Sequence, residues 1–395
     1  MILKNFRNTI YEKFKDDRDF KLFLVVGMLS GIASGINSTV FNNFLNDVYH
    51  LSADARGVVE FPRELPGVFI MVVLGLLAFL GDGRIAMIGL SAASLGMLGL
   101  GVFSPTFASM LVWMMMFSLG THMVMPITPV IGMDLSKQEN YGARLGRYSA
   151  YNLFATIGGY AIVWLGFKFL GLTYQIAFVV AAVFYVLAAL SMGLMKIKKP
   201  EHKKVKFVFR KKYTLYYILC IVNGARKQIF LTFAPWVLIQ VFHVGPPVFA
   251  ILGVIVSVVS IMTRKIVGNA IDIKGERFVL SLEAVFLFVI CLGYAFAGDI
   301  FGAGVAVIII AACYVIDNSM SAVEMARSTY VRKIAVDPAD VMPTLSTGTS
   351  IDHVVSMSIP VLGGLLWTAF GYQTVFLAAA GIAVLNMLLS RRLEI

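Results

Sequence analysis

The sequence predicts an all-α membrane protein of twelve transmembrane helices arranged as two pseudo-symmetric six-helix bundles. Three observations lead there: extreme apolarity, recurring apolar runs of membrane-spanning length, and one charged stretch that divides the chain almost equally. Of the 395 residues, 59% are hydrophobic and 14% charged, with a mean hydropathy of +0.83, whereas soluble domains are nearer a quarter charged. Runs such as Leu22 to Asn46, Phe178 to Met195 and Phe278 to Ala297 supply the roughly 20 residues a helix needs to cross about 30 Å of hydrocarbon. They lack the period of two of a barrel strand, so helices must satisfy the backbone in lipid.

In chain order the spans are expected at 22–47, 57–81, 85–103, 107–133, 148–167, 172–195, 214–242, 247–269, 278–297, 301–325, 346–369 and 372–390. The ends and every second loop then share one side. Most of the 33 basic residues fall there, once Arg264 and Lys265 near the end of span 8 are counted with the loop that follows. By the positive-inside rule both termini are cytoplasmic, in the inner membrane. The formal net charge of +11 is therefore a topology signal, and no nucleic-acid partner is expected.

Residues 1–21 carry Phe6, Ile10 and Phe14 at four-residue intervals among Lys4, Arg7, Lys13, Lys15 and Arg18. That pattern predicts an amphipathic helix on an anionic surface, and charges throughout these positions argue against a cleavable signal peptide. An N-terminal bundle over 22–195, a basic cytoplasmic linker over 196–213, a C-terminal bundle over 214–390 and a tail over 391–395 complete the division. Cys220, Cys291 and Cys313 lie inside spans without metal spacing, so neither a disulfide framework nor a metal or other cofactor is expected.

The halves repeat each other. Val48-Tyr49-His50-Leu51 mirrors Val241-Phe242-His243-Val244, which sets Gly31 on Gly224; Gly158-Gly159 matches Gly363-Gly364; Tyr174-Gln175 with Phe178 returns as Tyr372-Gln373 with Phe376. Four matches in consistent order point to an internal duplication.

Six plus six spans around a basic linker resembles the major facilitator superfamily over essentially the whole chain. The loop Gly268-Asn269-Ala270-Ile271-Asp272-Ile273-Lys274-Gly275-Glu276-Arg277 fits that superfamily's pattern of Gly, Asp, Gly and Arg. The resemblance implies a latch in which Asp272, with Gly268, Gly275 and Arg277, binds neighbouring helix ends in one conformation and releases them in another; a tight turn with a helix cap is the plainer alternative. The equivalent loop after span 2 has Phe79 in place of the Asp, with Gly81-Asp82-Gly83-Arg84 as a shortened substitute.

An ionised side chain at bilayer depth costs about 2.5–3.5 kcal/mol, so such residues face a hydrated cavity or a partner. Arg226 and Lys227 sit near the middle of span 7, followed by Gln228, Thr232 and Pro235. Adjacent helical positions point about 100° apart, so either cation can meet an anionic group of a solute while the other pairs within the bundle. Asp317, beside Asn318, and Glu324 with Arg327 offer partners on span 10; Asp317 is a candidate proton carrier or a permanent salt bridge. In the outer half of span 2, Glu60, Arg63 and Glu64 form a gating network, a proton or cation site, or a plain interfacial snorkel near Pro62 and Pro66. His122 in span 4, and His353 beside Asp352 in span 11, titrate near neutral pH but also suit plain packing. Span 1 carries a polar stripe of Ser34, Asn37, Ser38, Thr39, Asn42 and Asn43; the resemblance implies that spans 1, 4, 7 and 10 line the cavity, which makes Asn37, Thr39 and Asn42 binding candidates.

No phosphate loop, nucleophile elbow or catalytic triad is present, so an enzyme or ATP-driven pump is not expected. What the resemblance implies is a secondary transporter working by alternating access, expected to be a monomer; the two cations of span 7 favour a small anionic or zwitterionic solute, and Asp317 points to protons as the coupling ion. Efflux of hydrophobic or cationic compounds is the runner-up, and a membrane sensor or lipid-handling protein is the alternative outside transport.

Overall fold

The computed structural model describes residues 18–135, 141–197 and 210–393. The amphipathic pattern at residues 6–14 and most of the linker lie outside them. The described residues are helical throughout, with no strand among them. Helix α1 spans Arg18–Tyr49, α2 Ala53–Leu77, α3 Asp82–Val102, α4 Phe107–Asp134, α5 Tyr141–Phe169, α6 Tyr174–Gly193 and α7 Thr214–Gln240. The next helical segment, Pro246–Ile300, is 55 residues long, about 80 Å at 1.5 Å per residue, far more than one bilayer. Gly275 interrupts it with φ 78° and ψ 169°, giving α8 (246–274) and α9 (276–300). Gly298 lies beside Tyr372 and Phe242, so both ends of this segment return to the same end of the molecule as a hairpin. Helix α10 runs Ala303–Ile334 with a tighter turn at Met320–Val323, α11 spans Val341–Phe370 and α12 Tyr372–Ser390.

Ten helices are long and apolar enough to cross a membrane, the 55-residue segment counting once. The interrupted segment is expected to cross twice, and α7 is excluded by composition, its apolar run being broken by Asn223, Arg226, Lys227 and Gln228. Large apolar side chains such as Phe69, Leu76, Phe154 and Ile308 are more than half exposed; in lipid this outer surface is solvated by acyl chains, so the molecule is an integral membrane protein.

Several helices outrun the apolar stretches. Helix α2 begins at Ala53 instead of 57 and runs through Pro62 and Pro66, α10 continues to Ile334 and α11 starts at Val341. Hydropathy marks the part of a helix that must avoid water; the hydrogen-bonded ladder continues as far as packing supports it. Capping then sets the ends: the side chains of Thr106 and Ser109 close a reciprocal capping box at the start of α4, and Thr173 caps α6.

One apolar core gathers Phe20, Phe44, Phe178 and Met97 from α1, α3 and α6, and a second gathers Phe233, Tyr294, Ile310 and Phe376 from α7, α9, α10 and α12. The bundles meet chiefly where α2 packs on α11 and α5 on α8. A methyl group on Gly57 would come within 2.1 Å of the Pro360 carbonyl oxygen, and one on Gly364 within 2.6 Å of that of Ala53, so backbones touch there. The pseudo-symmetry is visible in the backbone itself. Two of the positive-φ turns recur in the second half: His50 with His243 at the ends of α1 and α7, and Gly81 with Gly275 just before α3 and α9. Cys220, Cys291 and Cys313 are buried and free.

Outside the spans, the Tyr213 hydroxyl donates to the Asp340 carboxylate at 2.7 Å and accepts from the Val336 N–H at 2.9 Å, while Arg210 Nε meets Asp340 at 2.7 Å. The Tyr213 hydrogen bond, assisted by Arg210, holds the Asp340 carboxyl below its ordinary value. The clasp is therefore complete above the unfolded carboxylate pKa of about 3.9 and is lost as pH falls through the lowered folded value. Asp340→Asn should lower Tm at neutral pH, with the gap to the parent protein closing in acid. Gly275→Ala forces a side chain into backbone space that L-residues avoid and should cost about 1–3 kcal/mol in a thermal melt, whereas Gly268→Ala, where an added methyl meets nothing, should be nearly neutral.

Candidate functional site

Two ends of the molecule can be distinguished: the linker end, where α6 finishes and α7 begins, and the far end, where α1 and α7 finish. Hydrogen bonds between the bundles cluster toward the far end. There Asn43 donates to the Val244 carbonyl and Gln240 to that of Leu51, both at 2.8 Å, and Thr368 donates to Asp54 at 3.3 Å. Below this seal a cavity of about 390 Å³ lies among α4, α7, α10 and α11, lined by residues of the linker-end halves of α7 and α11 such as Tyr216, Cys220, Gly348 and Thr349. The volume suits a small organic molecule.

Glu60, 0% exposed, receives Arg56 at 2.5 Å, Arg63 at 2.7 Å and Gln228 Nε2 at 2.8 Å. Arg56 also donates from Nε and Nη2 to the Asn42 side-chain oxygen at 3.1 and 3.0 Å and lies over the Trp236 ring. This network ties α1 and α2 to α7 across the bundle boundary.

A second network stays within the C-terminal bundle. Arg226 donates to Asp317 at 2.7 Å and to Asn223 at 3.2 Å, with Glu283 at 3.8 Å; Arg327 joins Glu283 at 3.1 Å and Glu324 at 2.8 Å. Two guanidiniums and three carboxylates thus form one network across α7, α9 and α10, with one carboxylate in excess. Asn318 donates to the Tyr314 carbonyl and lines the cavity beside Asp317. Lys227 pairs with Asp352, yet its side chain is 39% exposed and borders the open volume. Arg226, by contrast, is 8% exposed.

Glu64 divides its oxygens. Oε1 takes Arg63 at 3.2 Å, while Oε2 faces His353 Nδ1 at 3.1 Å and His122 Nε2 at 3.9 Å. Residues 56–64, 122, 223–228, 317–327 and 352–353 therefore form a nearly continuous polar belt through the middle of the molecule.

The structure brings most sequence candidates to this belt but not all. Thr39 is buried and donates to the Gly35 carbonyl in its own helix, and Asn37 is likewise not at the cavity; the Asn37 oxygen is buried without a partner among the described residues. The span 1 stripe turns out to serve α1's packing and, through Asn42 and Asn43, the bundle boundary. In the 268–277 loop, Gly275 makes the turn and Arg277 donates to the Leu393 carbonyl, but Asp272 is exposed and has no ion pair among the described residues. The pair at this loop is instead Glu276 with Lys333 at 2.8 Å. Gly268 is a plain helical residue.

Three residues of these networks were not among the candidates read from the sequence. Arg56 was missed because the expected span began at 57, one residue beyond it. Glu283, 0% exposed, was passed over inside an apolar run, although a lone carboxylate there is a signal in itself. Asn223 carried no distinguishing pattern.

A bundle pair of this kind, with a charged central cavity and a sealed far end, defines a membrane transporter rather than an enzyme. The Major Facilitator Superfamily family model matches residues 22–346, and the chain belongs to that family. A search of curated proteins by sequence returns no significant match. Among solved structures, the nucleoside transporter NupG, as a variant, aligns with 14% identity over 95% of this chain and 100% of its own at a TM-score of 0.78. A bacterial homologue of the human lysosomal transporter Spinster, in an inward-facing, occupied conformation, aligns with 16% identity over 94% and 95% at 0.74. A D-xylose–proton symporter aligns with 14% identity over 95% and 97% at 0.68. These likenesses are ones of fold.

Asp317→Asn leaves Arg226 buried with weaker compensation and should destabilise the protein by about 3–5 kcal/mol. The double variant Arg226→Gln/Asp317→Asn, which removes both charges, should recover much of that loss in the same melt.

Proposed function

We propose that this chain is a proton-coupled secondary transporter that moves a small anionic or zwitterionic organic solute by alternating access. The observation that carries this reading is Lys227, a partly exposed cation on the cavity wall next to the buried Arg226–Asp317 pair. An anionic group of a solute entering the cavity can take the Lys227 ammonium from Asp352 without any charge being newly buried. A proton on Asp317 would neutralise one side of its pair and release the Arg226 guanidinium toward the same solute. Asp352, Glu324, Glu64, His122 and His353 are further proton-bearing candidates, and Glu60 with Arg56 and Arg63 is the gate between the bundles. The D-xylose–proton symporter of the same fold supports proton coupling.

In this reading all twelve helices cross the inner membrane, α7 and both arms of the interrupted segment included. The bundles occupy 22–195 and 214–390, both termini and the basic linker are cytoplasmic, and the protein works as a monomer. The far-end seal then faces outward and the cavity opens inward. Asp272, without an ion pair among the described residues, suits this state, since its latch would close only when the cytoplasmic halves come together.

Purified protein in detergent should gain thermal stability from small organic anions, because a ligand stabilises the state that binds it; Lys227→Ala should abolish the shift at unchanged fold. In proteoliposomes, uptake of the anion that gives the largest shift should rise several-fold under an imposed pH gradient. Stabilisation by lipophilic cations alone would replace this reading with efflux.

A further inference from the structure

We propose that Glu64, His122 and His353 form a binding site for a divalent transition-metal ion of the zinc type, bridging the two bundles. The ligand atoms come from α2, α4 and α11, and all three lie within 4.8 Å of one another. Two ligands of a tetrahedral zinc ion at about 2.1 Å sit about 3.4 Å apart. The separations from Glu64 Oε2, 3.1 Å to His353 Nδ1 and 3.9 Å to His122 Nε2, bracket that value, so small side-chain adjustments complete the set.

Three features go beyond proximity. The first is the tautomer. His122 Nδ1 lies 2.9 Å from the Ser118 carbonyl oxygen, which can only accept, and 3.1 Å from the Ser118 hydroxyl, whose own hydrogen goes to the Arg63 carbonyl; this places the hydrogen on Nδ1 and leaves the lone pair of Nε2 toward Glu64. A metal-bound histidine is commonly oriented by this hydrogen bond to a backbone carbonyl. The second is room. A methyl group on Gly67 would lie 2.7 Å from His122 Nε2 and 3.1 Å from His353 Nδ1, the same two atoms that face Glu64. Glycine at this position lets both rings converge over α2. The third is the division of labour at Glu64: Arg63 occupies Oε1, which leaves Oε2 for the histidines.

Two imidazoles and one carboxylate are a ligand set that zinc accepts with its fourth position open, and imidazole selects such borderline ions over magnesium or calcium. His353 borders the cavity, so the open position is reachable by water or by an anionic solute. Because His353 belongs to one bundle and Glu64 and His122 to the other, a bound ion joins the bundles in the conformation seen here. The lone pairs that bind the metal are those that would otherwise take protons, so the ion competes with proton uptake at this cluster.

Tag-free protein in detergent provides the test, with Zn²⁺ and Co²⁺ as the probes and no solute or transport measurement involved. Calorimetry should show one saturable Zn²⁺ site per chain, with a rise in Tm that a chelator reverses. Co²⁺ should give the intense visible absorption of a four-coordinate ion. His122→Gln and His353→Gln should each weaken Zn²⁺ binding by more than about 100-fold, beyond what loss of a supporting hydrogen bond costs, while His50→Asn and His243→Asn retain it. No saturable site in the parent protein, a Co²⁺ spectrum of the six-coordinate aqua type, or equal binding by the His122 and His353 variants would each overturn the proposal.

Discussion

The structure depends on one electrostatic constraint: ionised groups inside a lipid-solvated bundle must neutralise one another, because water cannot do it for them. Glu60 states the constraint most plainly. It is wholly buried, yet it is surrounded by two guanidiniums and an amide drawn from two helices of opposite bundles. Removing either guanidinium weakens the compensation of this carboxylate in a medium of low polarity, and removing the amide leaves a buried hydrogen bond unmade. The bundles are thus joined here by polar contacts.

That choice of contact matters for motion. Apolar helix faces in lipid gain little by meeting, since acyl chains solvate them equally well, and close approach depends on small residues and hydrogen bonds. At the far end the contact is backbone on backbone, with Gly57 against Pro360 and Gly364 against Ala53; deeper in, it is side-chain hydrogen bonds, from Gln228 to Glu60 and between His353 and Glu64. Both kinds of contact are discrete and can exchange partners, as alternating access between two packed bundles requires. The internal pair of Arg226 with Asp317, by contrast, stays inside one bundle.

Much of the architecture was legible in the chain. The match of Val48-Tyr49-His50-Leu51 to Val241-Phe242-His243-Val244 reappears as two histidines with nearly the same left-handed backbone, φ 51° and 53°, because a duplicated helix end needs the same turn. Arg226, Lys227, Asp317, Glu60 and Glu64 stood out since charge in an apolar run is rare and costly. The partners did not stand out. Nothing in the spacing of Lys227 and Asp352, or of Glu64 and His353, indicates that residues 125 and 289 positions apart would meet. The polar stripe of α1 misled for the related reason that helix periodicity shows which residues share a face, not what that face will pack against.

What the sequence determined by itself is the solvent, the helices and their twofold repetition, since these follow from local apolarity, backbone hydrogen bonding and duplication. What only the tertiary structure decided is which charge neutralises which, where the bundles seal, and that Glu64, His122 and His353 converge over Gly67. Those outcomes depend on how helices distant in the chain are placed against one another, and in lipid that placement is set by close packing and by the pairing of buried charges, both of which exist only between elements.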